Sequence, residues 1–372
     1  MGKRLEEIAE ELKQSQKSVQ LIYAFNGTGK TRLSKTFAQL VQGDRGSLTR
    51  DKILYYNAFT EDLFYWDNDL ENNQEYSLKI QPNSFISWII EEQGQDQNII
   101  TNFQHYTDDK LNPNFDLRNN QIIFTFQRGN DEDVEKIKLS KGEESNFVWS
   151  VFFTLLELVI SERKIVEVEE RSTRDFDNLE YVFIDDPVSS LDENHLIEVA
   201  SNLAQLIKES NSEKLGLKFI ITTHNPLFYN VLHNELGNAN KHRLEKYEDG
   251  TYQLHTQRKD SPFAYHLFLR NELRAAIDND AVQKYHFNLL RNLFEKTATF
   301  LGYKEWKEIL PEEADDRARD SYKKRIIEIS SHSKQSGDEV AALTQSHKNM
   351  LAYLFNDFES RYHFYKEETR EE

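Results

Sequence analysis

Residues 24–31 read Ala24-Phe25-Asn26-Gly27-Thr28-Gly29-Lys30-Thr31, and no other stretch constrains the chain as strongly. A β-type run, Val19-Gln20-Leu21-Ile22-Tyr23, leads in, and a helical run from Thr31 to Leu40 leads out. Strand, glycine loop and helix together are the setting in which such a string forms a phosphate-binding P-loop. Gly27 and Gly29 let the backbone turn its N–H groups inward around phosphate oxygens. Asn26 and Thr28 complete the loop, and the start of the helix adds its partial positive charge. Lys30 reaches the terminal phosphates, and the Thr31 hydroxyl is placed to bind Mg2+. Ala24 stands where Gly is more usual, and it is small enough to leave the turn intact.

Three further strings follow in order. Leu139-Ser140-Lys141-Gly142-Glu143 opens a long apolar helix running through Ile160. A strand, Leu179-Glu180-Tyr181-Val182-Phe183-Ile184, runs into Asp185-Asp186-Pro187-Val188-Ser189-Ser190-Leu191-Asp192. Another buried strand ends at Thr223-His224-Asn225-Pro226. Each string alone is weak, but in this order they resemble the ABC-type ATPases over residues 19–235. The resemblance implies that Asp185 holds the Mg2+ shell, Asp186 polarises the attacking water and His224 senses the γ-phosphate. Most of that family has Glu at the position of Asp186, so slow hydrolysis is expected. Ser140 and the Gly142 backbone would bind a nucleotide held by the other protomer, which requires a head-to-tail dimer. The segment Tyr56-Asn57-Ala58-Phe59-Thr60-Glu61 sits where that family has its Q-loop, yet it contains no Gln. The span between Lys30 and Ser140 is too short for long coiled-coil arms.

At 372 residues, two domains are expected. The hydrophobic fraction of 38% can supply a core, and 12% aromatic residues argues against disorder. With no cysteine, disulfides and thiolate metal sites are excluded, which suits a reducing cytoplasm. No apolar stretch approaches the ~18 residues needed to cross a bilayer, and the N-terminus lacks the apolar region of a signal peptide. The net charge of −18 speaks against nucleic acid when taken alone. The acidic excess lies before Ser261, however, and the last third is nearly balanced.

Residues 4–17, 84–105 and His195 to Lys208 read as helices. Residues 52–59, 121–126, 134–138 and 217–222 read as strands. Leu63-Phe64-Tyr65-Trp66-Asp67 reads as an aromatic turn, and residues 162–178 as a charged surface loop or insertion. From about Phe263 strand patterns stop and helical periodicity dominates. The boundary is set at 258/259, giving a nucleotide-binding domain over 1–258 and a helical domain over 259–372.

In the second domain, residues 286–298 form an amphipathic helix with Arg291 and Glu295 one turn apart. Read on its own, that is an i,i+4 surface pair worth a few tenths of a kcal/mol. Downstream, a basic helical run containing Lys323, Lys324 and Arg325 leads to Ser330-Ser331-His332-Ser333. Residues 285–303, Ser330-Ser331-His332-Ser333, residues 21–32 and residues 55–66 together resemble the PrrC-type anticodon nucleases over nearly the whole chain.

That resemblance implies an α/β ABC-type P-loop ATPase domain followed by a mostly α-helical HEPN-like ribonuclease domain. Arg291, Glu295 and His332 become a catalytic trio needing no metal. One group takes the proton of a ribose 2′-OH, another protonates the leaving 5′-oxygen, and a cation stabilises the phosphorane. Glu295 is assigned the base, His332 the acid and Arg291 the stabiliser, and the first two roles can be exchanged. The products would be a 2′,3′-cyclic phosphate and a 5′-OH. The substrate implied is a tRNA anticodon loop, that of lysine tRNA first. Gln257-Arg258-Lys259-Asp260-Ser261 resembles the segment that contacts the anticodon, with Asp260 the matching acid.

The resemblance further implies ATP or GTP with Mg2+, a homodimer or higher oligomer, and silencing by a type I restriction–modification complex. It implies an antiphage role in the cytoplasm, away from membranes. A DNA-repair or chromosome-associated ATPase without nuclease activity would carry the same motor strings. It differs in predicting that Arg291→Ala and His332→Ala leave cellular toxicity untouched.

Overall fold

The central strands of this chain are apolar on both faces, so they can be stable only with helices packed on each side. The computed structural model describes residues 2–42, 52–56, 64–67, 77–81, 86, 88–127, 134–187, 193–247, 249–257, 265–311, 314–331 and 343–364. The chain divides into two compact units, residues 1–263 and 264–372. This division falls five residues after the 258/259 boundary expected from the sequence.

In the first unit, helix α1 (Leu5–Gln14) precedes strand β1 (Val19–Tyr23), and helix α2 (Lys30–Gln42) precedes β2 (Ile53–Tyr56). Strands β3 (Phe64–Asp67) and β4 (Ser77–Ile80) follow, then a π-helical turn at Trp88–Glu92 and helix α3 (Asp96–His105). Next come β5 (Leu111–Asp116), β6 (Gln121–Gln127), β7 (Val134–Ile137) and the long helix α4 (Lys141–Lys164). Strand β8 (Tyr181–Asp185), helix α5 (Glu193–Ser212), strand β9 (Lys218–Thr223) and helix α6 (Pro226–Glu235) lead to the hairpin β10 (Asn240–Lys246) and β11 (Tyr252–Thr256).

Six of these strands form one sheet in the order β11-β10-β1-β9-β8-β2. All its pairings are parallel except β10 with β11. Alternation along the strands splits the core in two. Ile22, Phe183 and Ile220 face α1 and α2, while Leu21, Tyr23, Val182 and Ile221 face the core shared with α4, α5 and α6. A second, antiparallel sheet runs β3-β4-β6-β5, with β7 also paired to β6.

Helix α4 joins the two sheets. Phe147 meets Phe124 of β6 at 5.2 Å between ring centroids, and Phe152 meets Tyr56 of β2 at 4.8 Å. Contrary to the sequence reading, this helix is long and apolar enough to cross a membrane, but 78% of its most apolar window is buried inside the unit. Its apolar surface therefore serves the core.

Several local expectations are corrected. Residues 64–67 form strand β3, paired with β4, and not an aromatic turn. The helix expected over 84–105 is interrupted at Gly94, whose φ of +61° lies in the left-handed region. The surface loop expected over 162–178 is present from Ile165 onward, after α4 ends at Lys164, and side chains fasten it. Arg163 donates to the carbonyls of Phe176, Asp177, Leu179 and Leu215 at 2.9, 3.1, 3.2 and 2.6 Å. The buried Glu162 carboxylate accepts from the backbone and hydroxyl of Ser172 at 2.8 and 2.6 Å.

The second unit comprises helices α7 (Tyr265–Asp278), α8 (Lys284–Leu301), α9 (Asp316–Ser331) and α10 (Gln345–Tyr362), with a 3-10 turn at Trp306–Ile309. Its own core includes Leu273, Leu290, Leu293, Phe294, Ile326 and Phe358. Glu359 of α10 ties down α7. One carboxylate oxygen accepts from Arg270 Nε at 2.6 Å, and the other pairs with Arg274. The Arg274 guanidinium also lies over the Phe355 ring, 4.9 Å from its centroid. The Glu359 side chain is only 8% exposed, and removing one member of a buried ion pair leaves charge uncompensated. Glu359→Ala is therefore expected to destabilise the helical unit by about 3 kcal/mol, read by urea denaturation of the full-length protein.

Candidate functional site

The loop after β1 turns through two residues that only glycine adopts readily, Gly27 at φ +79° and Gly29 at φ +108°. A Cβ on Gly29 would also come within 3.3 Å of the Tyr252 hydroxyl, a tight contact that adds to the demand its backbone angle makes for glycine. Lys30 opens α2 and curls back into the loop. Its Nζ donates to Ala24 O at 3.2 Å, Phe25 O at 3.4 Å and Asn26 Oδ1 at 3.2 Å. It also stands 3.3 Å from Asp186 Oδ2. An ammonium surrounded only by oxygen acceptors is set to exchange some of them for phosphate oxygens.

The two aspartates following β8 have different settings. Asp185 is buried at the end of the strand, and burial pushes its carboxyl above the ordinary range, against the hydroxyls of Thr222 and Thr31. Thr222 Oγ1 donates to Asp185 Oδ1 at 2.6 Å, and Ser34 Oγ approaches Oδ2 at 3.4 Å. Ser34 in turn hydrogen-bonds the Tyr55 hydroxyl. Asp186 has a φ of +55°, a left-handed conformation that non-glycine residues seldom adopt. Its carboxylate lies 2.6 and 2.7 Å from His224 Nδ1 and accepts the His224 backbone N–H at 3.2 Å. Burial pushes this carboxyl up, but the His224 hydrogen bonds and the Lys30 charge outweigh it and hold it below its ordinary range.

Asn26, Lys30, Asp185, Asp186 and His224 are thus one connected cluster, with Thr31 beside Asp185. It suits a magnesium–triphosphate: a glycine turn, one cation, one buried carboxylate and nearby hydroxyls, since Mg2+ commonly uses one or two carboxylates plus phosphates and water. Among the described residues, no group of three or more His, Asp or Glu side chains is arranged to hold a metal on its own.

Ser140 and Gly142 open helix α4. Ser140 caps α4, accepting from Glu143 N at 3.2 Å while Glu143 Oε2 accepts from Ser140 N at 2.7 Å. Gly142 sits in the first turn, and neither residue shares a hydrogen bond with the Lys30 cluster.

In the helical unit, Arg291 Nε donates to Glu295 Oε1 at 2.7 Å on one face of α8, both side chains about two-fifths exposed. His332 and Asp260 lie outside the described residues, as do 57–61 and the loop Ser189 to Asp192. Sequence reasoning missed Ser34, Tyr55, Thr222 and Thr223 as neighbours of the acids. The available signal was Ser34, a polar side chain among Leu33, Phe37 and Ala38 on the buried face of α2.

A protein named anticodon nuclease, from Escherichia coli, is 49% identical over 402 aligned positions that span all of both chains. The chain belongs to the anticodon nuclease family. A family model described as an AAA domain matches residues 109–358. The chain joins an α/β P-loop ATPase domain to a helical unit. Among solved structures, a crystal structure of the SmcHead bound to the C-winged helix domain of ScpA is 14% identical, matching 66% of this chain and 91% of that one with a TM-score of 0.34. That likeness is too slight to build on.

Proposed function

We propose that this anticodon nuclease cuts a tRNA anticodon loop, that of lysine tRNA first, under control of a nucleotide bound by its α/β unit. The α/β unit is of the ABC type and the helical unit of the HEPN-like type. What supports this reading most is the Arg291–Glu295 pair at 2.7 Å, set on an accessible helix face in a chain related end to end to an anticodon nuclease.

The 2′-oxygen attacks phosphorus, its proton passes to Glu295, and the P–O5′ bond breaks as His332 protonates the leaving oxygen. Arg291 holds the phosphorane's negative charge through two of its N–H groups. The fragments are a 2′,3′-cyclic phosphate and a 5′-OH, and Asp260 contacts the anticodon.

ATP or GTP with Mg2+ would be held by Asn26, Gly27, Thr28, Gly29, Lys30, Thr31 and Asp185. When bound, Mg2+ neutralises charge on the phosphates. Asp186, fixed by His224, orients the attacking water. Ser140 and Gly142, which share no hydrogen bond with the Lys30 cluster of their own chain, complete the second copy's site, which makes the protein a homodimer or a larger oligomer. It acts in the cytoplasm as an antiphage toxin restrained by a type I restriction–modification complex.

To test this, the wild type and Glu295→Ala are expressed without any restriction partner and tRNA ends are mapped by sequencing. Anticodon breaks with cyclic-phosphate ends are expected only in the wild type. Intact tRNA in both, with toxicity retained, would sink the reading.

A further inference from the structure

Helix α8 carries a second row of side chains beside the Arg291–Glu295 pair, and that row is unusual for a protein of net charge −18. Residues three or four apart stack along a helix face. Asn292, Lys296 and Phe300 therefore form a ridge adjoining the one that holds Arg291, Glu295 and Thr299. Phe300 is 89% exposed, more than any other large apolar side chain among the described residues. Leu301 and Tyr303 beside it are 45% and 43% exposed. Lys296, one turn before Phe300, is exposed and makes no ion pair with any described residue, and the same holds for Lys304.

Two nearby carboxylates are already engaged. Glu295 is taken by Arg291, and Glu305 by Lys323 at 2.9 Å. Two lysines without an ion pair among the described residues, one a helical turn before an uncovered aromatic ring and one four residues after it, match a single-stranded nucleic acid, whose phosphates need the charge and whose bases offer a flat face. A second copy of the chain fits less well, because a two-fold contact centred on Phe300 would bring unpaired lysines toward their own counterparts. The spacing also suits RNA. Phe300 lies about 7.5 Å beyond Glu295 along the helix axis, roughly two steps of a stacked strand at ~3.4 Å each.

Resting on the reading that Arg291 and Glu295 act on an RNA phosphate, we propose that the Lys296–Phe300 ridge is the track followed by the strand next to the cut. Lys296 takes a phosphate, and the Phe300 ring stacks against an unpaired base about two positions away. Neither residue belongs to the reacting group, so the ridge sets affinity and the register of the cut without changing the chemical step.

The test uses full-length protein with ATP or GTP and Mg2+, and two forms of a lysine-tRNA anticodon stem-loop. One form is intact. The other carries 2′-deoxyribose at the loop positions, which cannot be cut, so that binding is read without cleavage. Phe300→Ala should weaken binding of the deoxy form about tenfold, with Phe300→Tyr restoring it. Maximal single-turnover cleavage of the intact form should stay within about twofold, because stacking lies outside the reacting group. Lys296→Ala should lower the slope of log affinity against log salt by about one, and Lys296→Arg should restore it.

Equal binding by Phe300→Ala in a wild-type background that cuts RNA overturns the ridge alone. Phe300-dependent binding by a protein that cuts nothing leaves the ridge standing and sinks the nuclease chemistry. A wild type that neither binds nor cuts overturns both. A drop in sedimentation mass on Phe300→Ala, with binding per subunit unchanged, assigns this face to a second copy and overturns the proposal.

Discussion

Arg291→Ala is expected to slow RNA cleavage about a thousandfold, the upper range for losing a group that stabilises a developing oxyanion. The fold should not notice. The Arg291 side chain is 39% exposed and its ion pair is with Glu295 one turn away, an arrangement worth only a few tenths of a kcal/mol to a helix. Arg291→Lys keeps the charge but loses the planar fork that binds two phosphate oxygens at once. It should fall between alanine and wild type, roughly ten- to a hundredfold down. Single-turnover cleavage of an anticodon stem-loop measures the rate, and a thermal melt measures the fold. An alanine variant cutting within tenfold of wild type would remove Arg291 from the chemistry.

Lys30→Ala should weaken triphosphate binding by about a hundredfold, since several charge-assisted hydrogen bonds depend on one ammonium. Nζ is within 3.4 Å of three acceptors of the loop and also faces Asp186, so its loss unfastens the loop's interior as well. Binding of a fluorescent nucleotide analogue reports the affinity, and RNA cleavage by the same preparation reports the coupling. If the variant loses nucleotide yet cuts RNA like the wild type, the α/β unit does not govern the helical one.

The strands of the parallel sheet were legible because strands buried on both faces carry runs of apolar residues, as Leu21-Ile22-Tyr23 of β1, Tyr181-Val182-Phe183-Ile184 of β8 and Phe219-Ile220-Ile221 of β9 do. The loop, both aspartates and His224 were legible because phosphate chemistry restricts which residues can serve and in what order. The antiparallel sheet was less so. Strand β5 reads Leu111-Asn112-Pro113-Asn114-Phe115-Asp116, with only Leu111 and Pro113 buried, and Asn114 exposed, a pattern indistinguishable from a loop until β6 pairs with it. Strand β3 likewise becomes a strand only through β4. Thr222 and Thr223 were invisible as site residues because threonine is a natural strand former. Their contact with the acids arises between neighbouring strands 37 residues apart in sequence. Residues 162–178 carry no periodicity because Arg163 and Glu162, and not a repeating apolar face, hold them in place.

Helix α4 is 24 residues long, about 36 Å from end to end. Its first turn contains Gly142, and its last contains Arg163, clasped to four carbonyls from the segments after α4 and α5. Close-packed interiors scarcely compress, so this element acts as a rigid spacer. The glycine turn and the Arg163 clasp are therefore held at a fixed distance from each other along the helix.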